Sequence, residues 1–228
     1  MSRFFSISLF SLLFLLIFQL SAQDAVHRRI SVQQPAQRST EASSGLDLGW
    51  PEPVPSQGLT PFAIGLIPPA QFPNQYWDVT GVRLNLLAGL HNNVAILDIG
   101  TIANLSLGEV NGIELAGVWN QVRQDFRGVQ FAGFLNQVYG DAYGAQFSAI
   151  ANYNGPGEFT GLQIAAVNIN QGNGSGVQIG LYNQAQSLGG VQIGLVNTSE
   201  DFYGMQLGIF NYIRNSPLPF MVLLNLAF

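Results

Sequence analysis

Apolar residues alternate with small or polar ones in a series of short runs from Gly81 to the C-terminus. In GVQIGL, residues 176–181, Val177, Ile179 and Leu181 fall on one side, and Gly176, Gln178 and Gly180 on the other. The next two runs repeat this with Val191, Ile193 and Leu195, then Met205, Leu207 and Ile209. Alternation with period two over runs of about five to seven residues predicts strands. The GxxxG spacing of Gly176 and Gly180 would suit a packed membrane helix, but the alternation and the short runs speak against one.

The runs recur with a fixed ruler. Asn stands at 104, 120, 136, 152 and 168, then at 183, then at 197, 211 and 225, so the step falls from sixteen through fifteen to fourteen. Gln stands inside the runs at 130, 146, 163, 178, 192 and 206. The copies include GIELAGVWN, GVQFAGFLN, GVQIGLYN and GMQLGIFN, with GVRLNLLAG at 81 a weaker first copy and LPFMVLLN a divergent last one. Self-similarity at so short a period is the signature of a repeat architecture.

Two all-β architectures fit. In a repeat β-solenoid (β-roll) with 14–16-residue coils, each copy lies over the last and equivalent positions stack about 4.8 Å apart. Every Asn then takes the same corner and every Gln the same row, and stacked amides can hydrogen-bond along such ladders. One coil would be a strand, an Asn corner, a short return segment and a Gly corner, since Gly and Asn both tolerate positive φ. No coil buries its apolar face alone, so stacking supplies the partner. The alternative is an up-and-down outer-membrane-type β-barrel of about ten strands. Phe220, Val222, Leu224, Leu226 and Phe228 alternate on a final strand ending in Phe, as in bacterial outer-membrane barrels. A repeat unit of one strand favours the solenoid, because antiparallel neighbours would repeat every two strands. In the solenoid, the LPFMVLLNLAF ending would be a cap.

The N-terminus reads differently. Arg3, the uncharged apolar run Phe4–Leu20, and Ser21 and Ala22 follow the order of a secretory signal peptide over residues 1–22. Residues 23–59, rich in Pro, Ser and Gln, read as a flexible leader, and 60–228 as the repeat β domain. The chain has no Cys, which excludes disulfides and a Cys-linked lipid anchor. Only 9% of residues are charged, which fits a membrane-associated or assembled surface better than a soluble monomer. A net charge of −5 with no basic cluster argues against nucleic acid.

The repeat units resemble those of a group of bacterial surface-repeat proteins first described in spirochaetes, whose hallmark is a string of GLQIGLxN-like units. PFAIGLIPPAQFP, DVTGVRLNLLAGL and NSPLPFMVLLNLAF are similar to that group's flanking segments, so the resemblance covers residues 61–228. It implies export and a cell-envelope location, and it implies no activity.

Candidate chemistry is sparse. His27 and His91 are far apart and read as surface or turn residues, with no ligand spacing for a metal. The Gly-rich NQGNGSG at 170–176 precedes a strand, and the chain has no Lys, so it is a turn rather than a phosphate loop. No Asp recurs as a calcium-binding roll would need. The sequons at Asn104, Asn173 and Asn197 arise readily in an Asn-rich repeat. Arg83, Asp98 and Glu114 take the Gln slot in the first copies, where stacking would set Arg83 beside Asp98 and Asp98 beside Glu114. They read as a charge-paired end of the stack, or else as a polar binding spot.

No catalytic, cofactor-binding or metal residues are expected. The predicted function is a non-enzymatic exported envelope or surface protein, structural or adhesive, that meets an unknown surface partner or the outer membrane. A small barrel, as a pore, is the alternative. N-terminal sequencing of the mature protein should start near Gln23; a membrane-bound product that retains Met1 would exclude cleavage.

Overall fold

The computed structural model describes residues 55–228; the signal segment, most of the leader and His27 lie outside the described residues. In chain order the strands are β1 (Leu59–Ile67), β2 (Ala70–Phe72), β3 (Asp78–Asn85), β4 (Ala88–His91), β5 (Val94–Gly100), β6 (Ala103–Ser106), β7 (Val110–Ala116), β8 (Trp119–Val122), β9 (Phe126–Ala132), β10 (Leu135–Val138), β11 (Ala142–Ser148), β12 (Ala151–Asn154), β13 (Phe159–Ile164), β14 (Val167–Ile179), β15 (Tyr182–Ile193), β16 (Val196–Ile213) and β17 (Phe220–Ala227).

Each repeat supplies two strands, and each pairs in parallel with its equivalent one coil away. The longer strands β3, β5, β7, β9, β11 and β13, which carry the alternating runs, form one row. The short strands β4, β6, β8, β10 and β12 form another. From Val167 onward the short strand of one coil runs on into the long strand of the next, so β14, β15 and β16 serve both rows. The register keeps like beside like: Gln130 pairs with Gln146, and Asn136 with Asn152. The result is a parallel β-solenoid of about nine coils.

The barrel alternative therefore does not hold. Each chain turn returns the next copy in the same direction, and the antiparallel pairings among the described residues are β1–β2 and β16–β17, at the two ends. The return segment is a strand in its own right. Its Asn lies within that strand, facing inward, and is not a positive-φ corner; among the described residues, the positive-φ residues other than Gly are Ile96 and Leu223.

The Gly corner does occur. The long strands bend at Gly112, Gly128, Gly144, Gly161, Gly176, Gly190 and Gly204, with φ between 134° and 150°. These glycines stack so closely that a Cβ on Gly144 would sit 1.9 Å from the carbonyl oxygen of Gly128. Ile96 stands in this column opposite Gly112, with φ 82°.

The alternation has an unexpected sense. Gln is fully buried inside the coil, while its apolar neighbours Phe131 and Leu207 are more than a third exposed outside it. The apolar core is a narrower row, with Val79, Val94, Val110, Phe126, Ala142 and Phe159 facing Val122 and Val138. Stacking buries the backbone edges and the amides, and leaves the alternating apolar set on the outer surface.

Both ends carry an antiparallel strand. At the first, the three-residue β2 folds back on β1. The Gln71 amide completes the cap over the short-strand row, since its Nε2 donates to the Leu90 carbonyl while the Leu90 N–H donates to its Oε1. At the other, β17 crosses the last coil, from Gly204 opposite Ala227 to Tyr212 opposite Phe220. The C-terminal segment is thus a cap and not a further coil. Its register shifts where the coil turns its corner, between Gly208 and Asn211.

Replacing Ile96 by Gly should stabilise the fold by about 1 kcal/mol. A left-handed backbone costs a β-branched residue about 1–2 kcal/mol, against roughly 0.5–1 kcal/mol of extra chain entropy for Gly. Ile96 is 62% exposed, so little packing is lost. A urea midpoint that falls in Ile96→Gly would contradict this reading.

Candidate functional site: two amide ladders inside and an apolar groove outside

The Asn residues of the short-strand row form a continuous chain of hydrogen bonds. Asn104 Nδ2 donates to Oδ1 of Asn120, and the pattern runs through Asn136, Asn152, Asn168, Asn183 and Asn197 to Asn211, at 2.8–3.0 Å. The second Nδ2 proton goes to a backbone carbonyl of the following coil, such as Leu115 from Asn104 or Ile193 from Asn183. Every one of these side chains is fully buried. A buried amide left without partners costs roughly 1–3 kcal/mol, so each rung depends on the next.

The Gln residues form a second ladder of opposite polarity. Gln146 Nε2 donates back to Gln130 Oε1, and Gln163, Gln178, Gln192 and Gln206 each donate to the preceding coil, at 2.7–2.9 Å. The free acceptor at the far end, Gln206 Oε1, is met by Asn225 Nδ2 at 3.3 Å. Asn225 is therefore not the ninth rung of the Asn row. It sits on antiparallel β17, opposite Gln206, and closes the Gln ladder.

The Asn ladder begins one coil earlier than its sequence ruler indicates, at Asn85. Its Nδ2 donates to Asn104 Oδ1 at 2.8 Å and to Asp98 Oδ1 at 3.1 Å. Asn85 pairs with Gly100, while the position opposite Asn104 is Gly89. A Cβ on Gly89 would lie 1.8 Å from Asn85 Oδ1. The amide thus reaches the same place from a different backbone position, and the Gly100–Asn104 order of the next coil is inverted to Asn85–Gly89.

Arg83, Asp98 and Glu114 head the Gln row. Arg83 forms a two-pronged ion pair with Asp98, through Nε to Oδ1 at 2.8 Å and through Nη2 to Oδ2. Its remaining donors reach the Leu105 carbonyl at 2.9 Å and Ser106 Oγ at 3.3 Å. Burial, and then the charge of Asp98, push the Glu114 carboxyl up to about 8, so it is neutral near pH 7. Its Oε2 accepts from Gln130 Nε2 at 2.6 Å, while its Oε1 has no hydrogen-bond partner among the described residues. A protonated Glu thus stands in for a Gln as the acceptor at the head of the row. His91 is not a surface residue: it is fully buried, with Nδ1 3.4 Å from Arg83 Nη1. Burial, and then the Arg83 charge, lower it to about 3, so it is neutral too. The cluster carries no net charge and is sealed from solvent, so it is not an accessible polar binding spot.

Polar residues at the outer corner hold successive coils by their backbone. Asn93 Oδ1 accepts from the Glu109 N–H at 2.7 Å, Asp125 from Asp141 at 2.9 Å, and Asp141 from Glu158 at 2.8 Å. The 16-residue step from Asp125 to Asp141, and the double step of 32 from Asn93 to Asp125, were the signal available for them in the sequence. Arg127, 3.8 Å from Asp125 and 3.9 Å from Glu109, adds exposed charge to the same corner.

The opposite corner is apolar. Leu115, Phe131, Phe147, Ile164, Ile179 and Ile193 form one wall of an open groove that runs along successive coils. Its floor is built of Gly and Ala, as at Ala116, Ala132, Ala165 and Gly180, and Leu181 and Leu195 rise on the far side. The Phe131 and Phe147 rings stack at 4.9 Å. The floor is small because it abuts the Asn ladder: a Cβ on Gly180 would lie 2.9 Å from Asn168 Nδ2. No charged residue lines the groove.

Comparison with protein-family models, with curated proteins and with solved structures finds no match. The structure itself therefore carries the functional argument.

The Glu114→Gln variant tests the head of the ladder. A carboxyl whose pKa rises on folding stabilises fully below its unfolded value of 4.5, and this contribution is lost as pH climbs toward about 8. The slope is up to about 1.4 kcal/mol per pH unit. His91, whose pKa is depressed on folding, acts in the opposite sense, and its contribution is lost as pH falls from 6.5 toward about 3. Glu114→Gln should abolish the decline that runs from pH 4.5 to about 8, and leave the His91-dependent loss below pH 4.5 unchanged. Unfolding midpoints that decline in parallel for both proteins between pH 6 and 8 would refute it.

Proposed function

We propose that this protein is a non-enzymatic, exported component of the cell envelope or cell surface, structural or adhesive in role, whose working part is its outer apolar groove. The observation that carries this reading is the inverted distribution of polarity. Amides and the Arg83–Asp98–Glu114 cluster are buried inside the coil, while a charge-free row of aliphatic and aromatic side chains follows one outer corner. Contiguous exposed apolar surface of this extent marks an interaction site.

Enzymatic chemistry finds no support in the same distribution. Among the described residues, the cluster that holds His, Ser, Asp and Arg together is closed to substrate, with His91, Ser106, Asp98 and Arg83 each at most 1% exposed. Signal-like residues 1–22 and the likeness of the repeat units to bacterial surface repeats support export and an envelope location. The filled interior removes the basis for a pore.

The test is retention in the envelope. Wild-type protein should sediment with the envelope fraction and resist a high-salt wash. Leu181→Asp combined with Leu195→Asp, at side chains 54% and 49% exposed, should release it with an unchanged circular dichroism spectrum. Wild-type protein recovered in the soluble fraction, or a double variant retained like wild type, would overturn the proposal.

A further inference from the structure

The two ends of the solenoid are finished differently. At the first, the outermost strand, β2, is three residues long, lies between Pro69 and Pro73, and has its central Gln71 occupied with Leu90. Short length and flanking proline are the usual protections of a sheet edge. At the other, β17 is eight residues long and, among the described residues, pairs with β16 alone, so its other backbone edge has no strand partner among them.

Pro219 directly precedes the strand and Leu223 within it has φ 69°, but the edge carries no charge. No charged residue occurs between Arg214 and the last residue, Phe228, and no proline lies within the strand. Asn225 faces inward to Gln206; the even-numbered residues, and with them Leu223 at 66% exposed, are turned to solvent. Phe220, Val222, Leu224 and Leu226 are each 42–55% exposed and Phe228 84%.

We propose that β17 is a self-association edge, at which a second copy of this chain pairs its own β17 antiparallel to form a closed twofold dimer. The unpaired N–H and C=O groups require a polypeptide strand, which a lipid surface cannot supply. An uncharged apolar strand is compatible with its own antiparallel copy, because no like charges are brought together. Its outward side chains expose apolar area on the order of 600 Å², and pairing would set them beside the same side chains of the second copy, where cross-strand apolar neighbours pack laterally. Leu223 also lines the apolar groove, so pairing would bring the groove ends of the two copies together. A twofold pair uses the β17 edge of both copies, so the dimer is closed. This inference is independent of the envelope assignment, since purified protein tests it.

The experiment is sedimentation of the purified mature protein without detergent, with cross-linking as a second measurement. Wild type should sediment as a dimer at micromolar concentration. Val222→Lys with Leu226→Lys should weaken the dimer at least roughly 100-fold, because each lysine then meets a like charge across the pair. The chain has no Cys, so single cysteines report the contact cleanly. Cysteines placed singly along β17 should oxidise to disulfide-linked dimers most readily at one central position, and Leu181→Cys should not. A monomeric wild type overturns the proposal, as does a dimer that cross-links at Leu181 in preference to β17. So does a wild type that is monomeric alone but floats with phosphatidylethanolamine–phosphatidylglycerol vesicles through β17, which would make lipid the occupant. If the lysine variant fails to fold, the cysteine series still decides the outcome.

Discussion

A buried primary amide has two N–H donors and a carbonyl acceptor to satisfy, and this requirement governs the solenoid. With Asn at one position and Gln at another in almost every coil, the interior holds two columns of such groups. Each is satisfied mainly by its counterpart one coil away. That condition fixes the register, because slipping one coil by a single residue would place Gln outside and orphan its neighbours. It also fixes the direction of pairing, since the same side chain must recur at the same height in every coil. The parallel topology and the small residues beside the Asn column are the geometry in which the amides are matched.

The apolar exterior follows from the same constraint. A strand has two faces, and once the ladder occupies the inner one, the alternating Ile, Val and Phe must take the outer one. The remaining core, chiefly Val, Phe, Ala and Leu, is a strip between the two sheets. Stability in such a coil rests on interdigitated hydrogen bonds and stacked backbone at least as much as on apolar burial.

Much of this architecture was legible in the sequence. The Asn and Gln spacings place the coils and name the rungs from Asn104 to Asn211, and a one-strand repeat argues for parallel stacking. What period two cannot reveal is which face is inside. Alternation with an apolar set is ordinarily read as an apolar core, and here an amide ladder takes that place. Spacing also misleads at both ends. Asn225 keeps the step of fourteen but lies on a strand of reversed direction. Asn85 breaks the spacing yet supplies the first amide, because the Gly89 position leaves room for it. His91 shows no environment in the linear sequence, and only the stacking of coils places it against Arg83. The outer-corner Asp and Asn residues bond to backbone, which leaves no residue-to-residue pattern beyond a spacing.

The opposed polarity of the ladders bears on how long such a rod can be. Asn side chains donate toward the C-terminal end and Gln side chains toward the N-terminal end. Each added coil therefore contributes two amide dipoles that largely cancel along the axis. The groups that terminate the Gln column, Glu114 at one end and Asn225 at the other, do not depend on the number of rungs between them. Coils can be gained or lost as whole units by duplication or deletion, without building up a field along the axis or exposing an unmet amide. Length is then a quantity that evolution can adjust while the chemistry of both ends stays constant.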